Sequence, residues 1–106
     1  VDLARIVINL ANYGADIENG EHLMSEMVSR IVKTFMMTCG MYDASGEFAI
    51  KVGIPAKSGV GGGIMASVPG RMGIGVYGPA LDKKGNSVAG VKVLEELSNK
   101  LKLNIF

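Results

Sequence analysis

The 106-residue chain is 48% hydrophobic and 20% charged, a globular rather than disordered composition, and its length bounds it to one small domain at most. With 11 Lys+Arg against 10 Asp+Glu, a net charge of +1 and no basic cluster, it gives a phosphate backbone little to hold, so nucleic acid is not an expected partner. The single cysteine, Cys39, excludes an internal disulfide and fits a reducing compartment, while Lys33, Lys51 and Arg71 interrupt the apolar stretches well short of a membrane span.

The chain opens at Val1 directly in a helical pattern, with no signal-type segment. A trimmed or processed N-terminus and a cut through a larger domain both fit that start, and the motifs below favour the second. Asp2 is an N-cap candidate for a helix carrying Leu3, Ile6, Val7, Leu10 and Ala11 on one face, and Gly14 can take the left-handed conformation that ends it. A polar stretch with Asn19-Gly20 as its turn leads to Ser25, the expected cap of a second helix. Its apolar stripe is Met27, Val28, Ile31, Val32, Phe35 and Met36, and Gly40 stops it.

Asp43 can cap a short helix ending at Gly53, although the alternation of Phe48, Ile50 and Val52 also permits a strand. Two β-like runs follow, Gly63 to Val68 and Met72 to Tyr77, joined by Pro69-Gly70 as a hairpin turn. After a polar loop through Asp82-Lys83-Lys84-Gly85, Ser87 caps a last helix with Val91, Leu94, Leu97 and Leu101 on one face. The expected class is therefore α+β: helices, a β-hairpin and a C-terminal helix. A lone hairpin is marginal in water, which favours a portion of a larger antiparallel sheet flanked by helices over an independent fold. The seven methionines read as core filler.

Several motifs fail on physical grounds. Gly73-Ile74-Gly75-Val76-Tyr77-Gly78 matches the dinucleotide pattern, but it lies within a strand pattern and runs into Pro79 instead of opening a helix. Lys57-Ser58 lacks the glycines of a phosphate loop, having Ala56 and Lys51 in their places. His22 stands alone in a polar loop and reads as solvated, so no metal is expected. Cys39 has no basic neighbour in sequence and reads as a buried, inert thiol.

What remains is Lys57-Ser58-Gly59-Val60-Gly61-Gly62-Gly63. Four glycines in five positions strip side chains from one length of backbone and leave its N–H groups approachable by an anion or a developing oxyanion. The bland alternative is a flexible loop or a glycine-rich sheet corner. A K-[ST]-G triplet opening a strand is also a mark of serine penicilloyl-recognising enzymes.

Cys39-Gly40-Met41-Tyr42-Asp43, Ser45-Gly46, Phe48-Ala49 and Gly53 to Val60 together resemble the C-terminal signature of the serine-dependent, β-lactamase-related glutaminases. Leu10-Ala11-Asn12 with Gly14, Pro79 to Lys83, and Gly85-Asn86-Ser87 continue the resemblance over nearly the whole chain. It implies a serine β-lactamase/transpeptidase-like fold, with residues 1–106 as the C-terminal portion of a single glutaminase domain. The implied activity is hydrolysis of L-glutamine to L-glutamate and ammonia through an acyl-serine intermediate, without a cofactor, in a cytoplasmic homo-oligomer.

Carried over by the resemblance, Tyr42 is a catalytic and substrate-site residue that relays a proton, a task that calls for a positive charge close by. Val60 is the position whose backbone N–H helps form the oxyanion hole. Lys57, Ser58 and Gly59 are further candidates from the family's K-S-G strand. The family's nucleophile is the serine of S-x-x-K, yet none of Ser25, Ser29, Ser45, Ser58, Ser67, Ser87 and Ser98 has lysine three positions on. The expectation is half a site, completed by the rest of the glutaminase domain and inactive alone. A β-lactamase or penicillin-binding-type hydrolase, and a non-catalytic interaction module, are the alternatives.

Overall fold

The computed structural model describes residues 2–106. Helix α1 spans Asp2–Ala11, α2 Glu26–Cys39 and α3 Ser45–Lys51, the last preceded by a 3-10 turn at Tyr42–Ala44. Strands β1 (Ala56–Ser58), β2 (Gly63–Val68) and β3 (Met72–Tyr77) follow, and α4 (Val88–Leu101) closes the order. The strands form one antiparallel sheet in the order β1-β2-β3, with Ala56 opposite Ala66 and Ile64 opposite Val76. The hairpin expected from the sequence is present with the expected limits. The third strand, β1, is the K-S-G strand that the resemblance implies; at three residues it is too short for spacing alone to show, and its pairing with Ile64–Ala66 defines it.

Strand periodicity gives the sheet two different faces. Ile64, Ala66 and Val68 point to one side, where they pack with Met41, Phe48, Val52, Ile54, Leu94 and Leu103 under α3 and α4. Each fully buried large apolar side chain in this core contributes roughly 1.5–3 kcal/mol. Met65 points to the other side, beside Val7, Leu10 and Met36 from α1 and α2. Gly73 and Gly75 share that second face, opposite Ser67 and Met65. A Cβ on Gly73 would stand 2.6 Å from the Ile8 nitrogen, and one on Gly75 2.9 Å from the Ala4 nitrogen. The dinucleotide-like glycines are thus seats for the backbone of α1.

The local signals act mostly as expected. Ser25 Oγ accepts from the Val28 N–H at 3.1 Å, and Ser87 Oγ accepts from Gly90 N–H at 3.0 Å. Gly70 (φ +73) follows Pro69, and Arg71 N–H donates to Val68 O at 2.9 Å, as in a type II turn. At the end of α1, Gly14 is left-handed (φ +92), but Tyr13 before it is too (φ 58). Gly14 N–H reaches Asn9 O and Tyr13 N–H reaches Leu10 O, which closes the helix as a Schellman motif. Asp2 lies within the first turn of α1 rather than at its cap, and the residue before it is outside the described residues.

Other expectations change as well, among them the place of Leu101, which is exposed at the end of α4. Asp43 caps nothing; instead Ser45 Oγ accepts from Met41 N–H at 3.0 Å, and the alternating Phe48–Val52 segment is helical up to Lys51. Ile6 is exposed, because α1 rests on the sheet through Leu3, Ala4 and Val7. Cys39 is exposed rather than buried, since α2 turns Ser29, Met36 and Gly40 inward and leaves Cys39 on the side of Phe35, whose carbonyl its thiol meets at 3.1 Å. The apolar stripe of α2 likewise faces out: Met36 is buried, but Met27, Val28, Ile31, Val32 and Phe35 are exposed.

Candidate active site

Two segments distant in sequence meet at the end of α2. Ser58 N–H donates to Gly40 O at 2.9 Å, which ties β1 to the residues just before Tyr42. Gly40 permits this approach, because a Cβ there would collide with the carbonyl oxygens of Ala56 and Met36. The Tyr42 hydroxyl then reaches across to donate to Ser58 O at 3.4 Å. Lys57 Nζ donates to the same oxygen and stands 4.8 Å from the centroid of the Tyr42 ring. That geometry places an ammonium against the face of the phenol ring.

Tyr42 is 39% exposed and has φ +55, a left-handed conformation costly for a bulky residue by about 1–3 kcal/mol. Its neighbours hold it there. Ser45 Oγ donates to Tyr42 O at 2.7 Å while accepting from Met41 N–H. Asn86 Nδ2 donates to Met41 O at 2.9 Å from a loop far along the chain. Gly85 (φ +90) lies against the ring edge, where a Cβ would stand 3.6 Å from Tyr42 Cδ2 and Cε2.

Val60 sits in the turn between β1 and β2, with its side chain 75% exposed. Two residues past Ser58, it lies within roughly 7 Å of that residue along the chain. Gly59 N–H donates to Gly63 O and Gly62 N–H to Gly59 O, which closes the turn. Among the described residues nothing accepts from Val60 N–H, so that donor is free to meet a ligand. The glycines of this run divide in role. A Cβ on Gly62 (φ +97) would lie 2.6 Å from Gly78 O, whereas one on Gly61 would meet nothing within 4 Å.

The sequence-predicted residues therefore fall into one neighbourhood: Tyr42 over β1, Lys57 beside it, and Ser58, Gly59 and Val60 leading into the turn. Ser58 takes part through its carbonyl and N–H; its hydroxyl is buried and has no partner among the described residues. His22 is exposed, with Nδ1 3.2 Å from Met24 O. Sequence reasoning assigned no role to Ser45, Gly85 or Asn86. The Asp82…Gly85-Asn86 turn pattern marks a loop, but nothing local indicates that the loop folds back under Met41.

An antiparallel sheet between helices, with K-S-G at its edge, is the arrangement of the serine β-lactamase-like fold. The Glutaminase family model matches residues 1–106, and the chain belongs to that family of amidohydrolases. It is 98% identical over 106 residues to a glutaminase of Clostridioides difficile strain 630, and 66% identical over 105 residues to one of Clostridium tetani strain Massachusetts / E88. These alignments cover 100% and 99% of this chain but 34% of each relative, so the chain spans about a third of the length of the curated relatives it matches. Among solved structures, a Bacillus subtilis glutaminase in covalent complex with 5-oxo-L-norleucine is similar at 45% identity and a TM-score of 0.96, over 99% of this chain and 38% of that one.

Proposed function

We propose that this chain is the C-terminal portion of a single glutaminase domain whose complete form hydrolyses L-glutamine to L-glutamate and ammonia. The observation that carries the reading is the meeting of Tyr42, Lys57 and Ser58 beside an uncommitted Val60 N–H, in a chain of the glutaminase family. The covalent norleucine adduct of the Bacillus subtilis relative supports it, because a diazo ketone of that skeleton puts its electrophilic end where glutamine has its side-chain amide.

In this reading a serine from the rest of the domain attacks the side-chain amide carbon. Val60 N–H donates to the oxyanion that forms, and Tyr42 carries a proton toward the departing nitrogen. Collapse breaks the C–N bond, releases ammonia and leaves a glutamyl ester on the serine. Water then attacks the ester carbon, the serine oxygen leaves with a proton, and glutamate departs. Neither cofactor nor metal enters these steps.

The exposed apolar side chains of Met27, Val28, Ile31, Val32 and Phe35 support the same division of the domain. A contiguous apolar face of this kind marks an interaction surface, and the rest of the domain is its proposed cover. Among the described residues no helix is long and apolar enough to cross a membrane. On the family resemblance, the complete enzyme is proposed to be a cytoplasmic homo-oligomer, without nucleic-acid or membrane partners.

The test is ammonia release from L-glutamine by the complete enzyme and by residues 1–106 alone. Turnover by the first and none by the second is expected. Activity of the isolated chain would refute the half-site reading, and hydrolysis of nitrocefin in place of glutamine would point to a β-lactamase-type enzyme.

A further inference from the structure

The loop after β3 carries an inference about what keeps Tyr42 in place. It folds on itself through Asp82: Oδ1 accepts from Lys84 N–H at 2.9 Å and from Asn86 N–H at 3.1 Å, while Asp82 N–H donates to Asn86 O at 2.8 Å. This closed turn delivers two contacts to the tyrosine segment. Gly85 lies beside the ring, and Asn86, 1% exposed, puts its amide beneath the backbone.

Asn86 Nδ2 donates to Met41 O, the carbonyl of the peptide bond that leads into Tyr42. Asn86 Oδ1 is buried without a partner among the described residues. A buried amide with half its capacity unmet is costly, and an apolar side chain would avoid that cost. The retained amide therefore points to a need for the bond to Met41 O. That carbonyl belongs to the Met41–Tyr42 peptide and also accepts from Ala44 N–H at 3.1 Å, while Ser45 Oγ holds Met41 N–H and Tyr42 O in the two flanking peptides. Asn86 supplies the one side-chain bond to the peptide that sets the tyrosine's left-handed φ among those given for the described residues.

We propose that Asn86 is a positioning residue for Tyr42: it holds the Met41–Tyr42 peptide so that the phenol stays over Lys57 and Ser58 O. The role rests on the glutaminase reading of Tyr42, and it requires no contact between Asn86 and substrate.

The test uses the complete enzyme and a double-mutant cycle between Asn86→Ala and Tyr42→Phe. Alone, Asn86→Ala should lower kcat by about tenfold or more, with KM within about twofold. In a Tyr42→Phe background the same substitution should cost less than about twofold, because the group it positions is already gone. Equal losses in both backgrounds would overturn the proposal, since a merely structural role is indifferent to the phenol.

A second readout is independent of turnover. Exchange of the Ala44 amide proton, which is bonded to the same Met41 O, should speed up about tenfold in Asn86→Ala, while the amides of β2 keep their rates. An unchanged Ala44 rate would overturn the positioning role. Wild-type turnover of Tyr42→Phe would instead overturn the catalytic reading of Tyr42, leaving the exchange measurement to judge the clamp. If Asn86→Ala does not fold, Asn86→Asp, which keeps the side chain's shape and removes the Nδ2 donor, takes its place in both experiments.

Discussion

Tyr42 and Lys57 donate to one atom, the carbonyl oxygen of Ser58. A carbonyl has two lone pairs and can accept both donors. The tyrosine's share is long, at 3.4 Å, which leaves its hydroxyl weakly held and ready to turn toward another acceptor. Lys57 also faces the ring, so it both shares the acceptor and places a charge on the phenol.

Removing that charge should therefore affect chemistry more than folding. Lys57→Met is expected to lower kcat of the complete enzyme about tenfold and to cost about 1 kcal/mol or less in stability. Lys57→Arg, which keeps the charge, should recover most of the rate. Steady-state ammonia release and thermal unfolding of the same preparations measure the two effects.

At Val60 the proposed oxyanion donor is the backbone N–H. Val60→Ala should leave turnover within about threefold of the parent, because the exposed side chain contributes little. Val60→Pro removes the N–H and should lower kcat by about 100- to 1000-fold, the usual loss for one oxyanion donor. Equal turnover in the two variants would remove Val60 N–H from the mechanism.

Gly40 and Gly61 should respond in opposite ways to the same change. Gly40→Ala drives a methyl group into two carbonyl oxygens and is expected to destabilise by about 3 kcal/mol. Gly61→Ala enters open space and should stay within about 0.5 kcal/mol. Denaturant unfolding of the two variants makes the comparison.

The exposed Glu47–Lys51 pair, 2.8 Å apart, gives a pH prediction of definite sign. The Lys51 hydrogen bond and charge hold the Glu47 carboxyl below its ordinary 4.5, and Glu47 in turn lifts Lys51 above 10.5. The Glu47 contribution is complete above 4.5 and is lost as pH falls through the depressed value. The Lys51 contribution is complete below 10.5 and is lost as pH rises through the raised value. Lys51→Met should thus flatten both edges of the stability profile slightly and leave the neutral range unchanged in shape. The difference should fade in about 1 M salt, as thermal unfolding across pH would record.

How much of this was legible depended on whether a residue's partner lay nearby in sequence. Ser25 and Ser87 cap helices three residues away, and Pro69-Gly70 turns the chain within its own span, so spacing alone located them. Strand β1 came from the resemblance and not from spacing, because its definition is its register with β2. The outward stripe of α2 shows the limit of periodicity: it finds an apolar face but not what covers it. The seat of Tyr42 was the least visible, since the bond from Asn86 to Met41 O joins residues 45 apart in sequence, and no local rule links a loop asparagine to a helix end.

The seats of α1 in β3 carry a genetic consequence. Every missense change in a glycine codon adds at least a Cβ, and at Gly73 and Gly75 that atom meets the helix backbone. No substitution, however conservative, escapes the collision by being small. Along Met72–Tyr77, Gly73 and Gly75 should therefore reject even alanine, whereas Met72, Ile74 and Val76, packed against the main core, should accept other apolar side chains.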